Sequence, residues 1–231
     1  MQRPRQINDQ GQLPVPYAAV VEDDADPLVM YLVVRRRTSR SFADLATAAA
    51  IATRRCAHRY REDDRWRDGF DDWWRHSFRK VCLRAEPREW EDVCALDHER
   101  VGDVACLPPV RRSARDHVLA RMQALSEEGG PLPEFDEPVP DTLTLVVATD
   151  LGMSSGKTLA QIGHAALMAD LNPDLDVHVV GAGGEEWATL AGSAAAIVRD
   201  AGLTEITPGS ETVLVLERLG TNREPGRGWW A

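Results

Sequence analysis

Lysine is nearly missing from this chain. Among 231 residues only Lys80 and Lys157 carry an ammonium side chain, and arginine supplies every other strongly basic group. Long apolar runs are missing too, which excludes a membrane-spanning helix and argues against a membrane partner. Residues Met1–Gln6 lack the apolar core of a signal peptide, so the expected location is cytoplasmic. There is no Cys-x-x-Cys pair: Cys56, Cys82, Cys94 and Cys106 are scattered through the first half and read as reduced thiols. No metal and no cofactor is expected from this residue set. A positive balance is also lacking. The formal charge is −10, and −7 of it falls on residues 141–231. Such a chain binds nucleic acid only through a local basic patch, because phosphate neutralisation dominates that affinity.

What is present reads as an α/β protein of two small three-layer units, each with a mixed, roughly four-stranded sheet flanked by helices. Residues 1–27 form an acidic arm, 28–126 a first unit, 127–140 a Pro/Gly linker, 141–220 a second unit and 221–231 a tail. The units look like a diverged repeat. Tyr31–Val34 and then Phe42–Ile51 parallel Thr144–Val147 and then Lys157–Ala166 as strand and helix. Val81–Leu83 with Arg88–Trp90 parallels Val177–Val180 with Glu185–Trp187. The first unit carries an extra stretch, Arg59–His76, in which Trp66, Phe70 and Trp73 recur at helical spacing. It reads as an amphipathic helix over a sheet, with base stacking on its aromatics as the other reading. In the second unit, strands are predicted near 142–149, 176–181, 203–207 and 211–217, and helices near 157–170 and 185–199. Pro208-Gly209 marks a turn between two antiparallel strands.

The stretch Asp150–His164 concentrates the chemistry. A buried strand leads into a Ser/Gly loop, and a lysine enters a helix. Unpaired amides and the dipole at a helix start suit an anion, and Lys157 adds charge. The nucleotide-binding Gly-x-x-x-x-Gly-Lys loop is excluded, because Leu151 stands where its first glycine belongs. At 100° per residue, Lys157, Gln161 and His164 lie within an arc of about 60°, and Leu159, Ile162 and Ala166 face the core.

This segment, Asp150-Leu151-x-Met153-x-x-Gly156-Lys157-x-x-Ala160-Gln161-x-x-His164-Ala165, resembles the type II peptidyl-tRNA hydrolases. Asp200-Ala201-Gly202-x-Thr204-x-Ile206-x-Pro208-Gly209-Ser210-x-Thr212-Val213-Leu214 is similar to the family's second signature. The resemblance spans roughly residues 141–219. It implies a four-stranded mixed sheet between helices and metal-independent hydrolysis of the ester joining a peptide to the terminal ribose of tRNA. Lys157, Asp200, Thr204 and Thr212 would be catalytic, and Asp150, Gly156, Gln161, His164 and Ser210 would bind the substrate, peptidyl-tRNA. The chain departs from the family pattern at Asn172–Leu175, a short connection, and at Leu203, where a basic residue is usual.

Two readings of Asp200 stand. It is the catalytic carboxylate, or it merely ends a helix capped by Gly202, with the third strand at 203–207. In the first unit the positions equivalent to Lys157, Gln161 and His164 are about Ala43, Thr47 and Ala50, so that unit reads as an inert copy. It is retained for packing against the second unit or for docking through Arg35-Arg36-Arg37 and Arg40. A homodimer is compatible with this reading. The rival function is a catalytically silent binding module recognising tRNA ends or a protein partner.

Overall fold

Leu28–Arg35 is apolar on both faces because it becomes a central strand, β1, of a buried sheet. The computed structural model describes residues 25–169, 175–202 and 205–217. Most of the expected acidic arm, the tail at 221–231 and Thr204 lie outside them.

After β1 come α1 (Phe42–Glu62), α2 (Arg67–Asp72) running into a π-helical turn (Trp73–Ser77), β2 (Arg79–Ala85) and α3 (Pro87–Val93). Then follow β3 (Glu99–Val101), β4 (Val104–Arg111), α4 (His117–Arg121) and β5 (Gln123–Ala124). The second half contains β6 (Leu143–Ala148), α5 (Ser155–Met168), β7 (Val177–Ala182), α6 (Gly184–Ala191), β8 (Ala196–Arg199) and β9 (Glu211–Glu217). The first sheet has five strands in the order β3-β4-β1-β2-β5 and the second four, β7-β6-β9-β8. Each contains one parallel pair, β1 with β2 and β6 with β7, among antiparallel neighbours. Apart from β5, the two sheets share one connectivity.

The α/β class and the mixed sheets are as expected, but the units share a layer. Helices α1 and α5 pack on each other between the sheets, α1 also touching β7 and α5 also touching β2. One continuous core therefore joins Met30 and Leu32 of the first sheet to Leu145 and Val215 of the second, through Ala49, Leu159 and Ile162. Gly163 permits the close crossing of the helices: a Cβ there would meet Thr53 Oγ1 at 3.1 Å and the Lys80 stem at 3.2 Å. On the outer faces, α3 and α4 cover the first sheet through Trp90 and Leu119, and α6 covers the second through Trp187 and Leu190.

Two predicted elements are corrected. The helix expected over 185–199 ends at Ala191, and Ala196–Arg199 is strand β8 instead. Gly192 closes the helix, and the β-branched Ile197 and Val198 pair with Leu214 and Val213 of β9. The strand expected at 203–207 is not formed by Glu205–Thr207. Asp200 thus ends a strand, and the helix-end reading falls. The turn at Pro208-Gly209 does join antiparallel neighbours, β8 and β9. The amphipathic helix expected over Arg59–His76 is broken at Asp63 and divided between α1, α2 and the π-helical turn. Phe70 and Trp73 are fully buried as the core reading requires, and Trp66 sits edge-on to Tyr60.

The chain leaving β5 is fastened to the second half. Leu125 and Glu127 offer carbonyls to the first amides of α5: Gly156 N donates to Leu125 O at 2.9 Å and Ser155 N to Glu127 O at 2.8 Å. Further on, Pro133 O and Phe135 N bond Gly181 on the outer edge of β7. Backbone contact at Gly156 is too close for a side chain, since a Cβ would stand 2.1 Å from Leu125 O. Gly156→Ala is expected to lower the unfolding free energy by about 1–3 kcal/mol, measured by denaturant titration. An unchanged midpoint would contradict this seam.

Candidate functional site

The N-cap of α5 is Ser154, whose side chain accepts from Lys157 N at 3.3 Å. Ser154 itself donates, N and Oγ, to the Glu205 carboxylate at 2.9 and 2.8 Å. With Ser155 N and Gly156 N committed to backbone carbonyls, the first amides of this helix are occupied. The expected cradle of open amides is therefore absent, and Glu205 already supplies a negative charge at the positive helix end. Lys157 therefore contributes to the site through its side chain and not through the helix amides.

That side chain forms an ion pair with Asp200 Oδ2, and the two side chains are only 11% and 6% exposed. Gln161 Nε2 donates to the same oxygen at 2.7 Å, while Asp200 Oδ1 accepts from Gly202 N at 2.8 Å. Gln161 is fixed in turn by Thr212: Thr212 Oγ1 lies 3.0 Å from Gln161 Oε1 and 3.1 Å from Val198 O. One hydroxyl proton serves only one of these acceptors at a time. Since Thr212 is completely buried, its hydroxyl acts through Gln161. Backbone bonds hold the loop: Asp200 N donates to Ser210 O at 2.9 Å and Gly209 N to Asp200 O at 2.7 Å.

The structure thus brings together Lys157, Gln161, Asp200 and Thr212, with Ser210 supporting through its carbonyl. His164 lies farther along the same stripe of α5. Asp150 is elsewhere: its carboxylate accepts from Gly184 N at 2.8 Å and caps α6. Gly156 serves close backbone approach, and Thr204 falls outside the described residues. Aligning the N-caps Ser41 and Ser154 sets Asp44, Ala48 and Ile51 opposite Lys157, Gln161 and His164, one position later than the sequence suggested. The Arg35–Arg37 cluster does not line the site, and Arg35 and Arg36 pair with Asp103 and Glu86.

A cleft of about 1070 Å³ opens over this network, between α5 and β2 with its preceding turn. Both lysines of the chain line it. Lys80 Nζ stands 3.0 Å from His164 Nδ1 and lies over the Phe78 and Trp73 rings at 4.3 and 4.7 Å. Burial pushes Lys80 well below the usual lysine range. Burial, with Lys80 and then Lys157 as positive neighbours, pushes His164 well below the usual imidazole range. Lys80 and Glu205 are the residues that motif reading missed. The scarcity of lysine pointed to Lys80, whereas nothing in the pattern pointed to Glu205. Seven Lys and Arg side chains but only two carboxylates, Asp200 and Glu205, line this cleft of an otherwise acidic chain. Among the described residues no group of three or more His, Cys, Asp or Glu side chains is placed to hold a metal, and no helix is long and apolar enough to cross a membrane.

Residues 142–173 match the model of a family described as Peptidyl-tRNA hydrolase PTH2. The matched stretch contains β6, the loop and α5, hence Lys157, Gln161 and His164, and it stops before Asp200 and Thr212. It marks a peptidyl-tRNA hydrolase-like region in the second half. No curated protein and no solved structure matches the chain.

The lowered Lys80 value sets a pH dependence. The unfolded chain binds the Lys80 proton more tightly than the folded one, so this residue's cost to stability is present at neutral pH. It disappears as pH rises towards about 10. Lys80→Met is therefore expected to be more stable than the parent at pH 7, with the gap in denaturation midpoint narrowing by pH 10. A gap independent of pH would contradict the assignment.

Proposed function

We propose that the chain is an esterase of the peptidyl-tRNA hydrolase type, cleaving the bond between a peptide and the terminal ribose of tRNA. The observation that carries this reading is the withdrawn Lys157–Asp200 pair, braced by Gln161 and Thr212 and opening onto a positively lined cleft. The family match over 142–173 supports it. Asp200 orients a water through its carboxylate, and the water oxygen attacks the ester carbonyl carbon. The Lys157 ammonium stabilises the oxyanion that develops there. The attacking water passes one proton to the Asp200 carboxylate, and collapse breaks the bond to the ribose oxygen, which takes that proton; the new peptide acid loses the other to solvent, leaving a peptide carboxylate and a free ribose hydroxyl. Gln161 and Thr212 are positioning residues. They fix the Asp200 oxygen that faces the lysine. Thr204, outside the described residues, is assigned to the water by resemblance alone.

The net acidity of the chain does not oppose an RNA substrate, because the cleft itself has an excess of cations. The first unit, by this reading, is an inert copy: Asp44 stands at its Lys157 position, and it supplies a wall of the cleft instead.

Lys157→Ala is expected to reduce ester hydrolysis by about 10²–10³-fold, the worth of one preorganised oxyanion donor. Asp200→Asn, close in shape, should reduce turnover by about 10²-fold or more, while Thr212→Val should cost less. Release of peptide from a labelled peptidyl-tRNA measures all three. Parent-like turnover in Lys157→Ala, in a variant whose unfolding curve shows it folded, would remove this mechanism. Tight tRNA binding by a parent chain that never turns over would instead establish the silent binding module.

A further inference from the structure

We propose that the turn before β2 is a stacking platform for the unpaired nucleotides at the end of an RNA. Trp74, held edge-on by Phe78, supplies the ring, and Arg75, paired with Asp71 at 3.2 Å on the exposed side of the turn, exchanges that partner for a phosphate. This deepens the esterase reading and rests on it for the identity of the attached group.

The turn is built unusually. Trp73–Ser77 is a π-helical turn, closed by Phe78 in the left-handed region at φ 48°, with Phe78 N donating to Trp73 O at 2.6 Å. A bulky residue there is strained, and π-turns and such strain gather at binding sites. The strain has a visible result. It sets the Phe78 ring 4.6 Å from the His164 ring and beneath the Lys80 ammonium, with Trp74 edge-on to Phe78 at 5.1 Å. Trp73 and Phe70 behind them are fully buried and hold the turn down. Trp74, Arg75 and Phe78 instead line the cleft that contains Lys157 and Asp200.

Position and charge say what the platform takes. His164 follows Lys157 by seven residues on α5, about 10 Å along the axis at the helical rise, so the rings lie within reach of nucleotides next to the ester. Arginines among aromatics suit a strand whose bases are free to stack and whose phosphates need neutralising. A duplex, with its bases covered, gains nothing from the rings. Base stacking is the other reading of the aromatic stretch Arg59–His76. The structure divides that stretch, with Phe70 and Trp73 in the core and Trp74 in the cleft.

The test is fluorescence anisotropy of the full chain with a dye-labelled single-stranded ribo-tetranucleotide, competed by an unlabelled RNA hairpin lacking single-stranded ends. The parent should bind the tetranucleotide, and the hairpin should compete poorly. Trp74→Ala should weaken binding about 10-fold or more, as loss of one stacked base predicts, and Trp74→Phe should restore most of it. Arg75→Gln, an exposed change that spares the packing, should weaken binding and reduce the salt slope by about one. Peptidyl-tRNA turnover by the parent is read in a separate assay, so failure of the hydrolase reading appears there and leaves the oligonucleotide affinities as they are. No binding by the parent, equal binding by Trp74→Ala, or equal competition by the hairpin would overturn the platform. If Trp74→Ala does not fold, an affinity of Arg75→Gln equal to the parent's at every salt concentration overturns it.

Discussion

A carboxylate removed from water at the end of a strand has to be compensated, and among the described residues Asp200 receives three donors for its two oxygens: the Lys157 ammonium, the Gln161 amide and the Gly202 N–H. Desolvation makes such a group costly unless every partner stays in place, and taking one partner from a buried pair costs about 3–5 kcal/mol. The three donors come from α5 and from the loop after β8. The pair therefore fixes the loop to the helix as firmly as it fixes a charge. Thr212 on β9 then ties the same amide to the sheet. Geometry that a hydrolytic site would require is here also what closes the edge of the fold.

The same helix is held from the other side by the first unit. Carbonyls of Leu125 and Glu127 occupy its opening amides, and Lys80 reaches its outer stripe at His164. A shared inner layer means the first unit cannot be peeled away without exposing α5 and β7. Its Lys80 and Trp74 line the same cleft as Lys157 and Asp200, and Asp44 stands where the N-cap alignment of α1 and α5 sets a residue opposite Lys157. Its contribution is a wall that is aromatic and cationic, set against the ion pair on the opposite wall.

Much of this was legible in the chain because it is local. The apolar run at 143–148 and the polar stripe of Lys157, Gln161 and His164 follow from periodicity, and α5 lies where a helix is read at 157–170, beginning two residues earlier behind its Ser154 cap. The strand–helix order read in each half is present, while the shared order of the strands within the sheets comes from the structure. The failures have physical causes. Ala194–Val198 is short and apolar, a run whose period cannot separate helix from strand, and pairing with β9 decided it. Helix-start amides looked open because the carbonyls that fill them come from a proline-rich stretch some thirty residues upstream. Lys80 and His164 are 84 residues apart, and only the packing of α5 on β2 makes them neighbours.

Charge distribution follows from the same arrangement. An acidic chain repels polyphosphates at long range, so a site for them must concentrate cations where the walls exclude water and screening is weak. Both lysines and several arginines do converge on one cleft, while the arginines at 35 and 36 are spent on Asp103 and Glu86 elsewhere. On the reading proposed above, an RNA end would be recognised inside the cleft, whose walls carry the Trp74 ring, the Lys80 amine and the Lys157–Asp200 pair. The negative balance of the whole chain would then favour ligands that reach the cleft over those held at the surface.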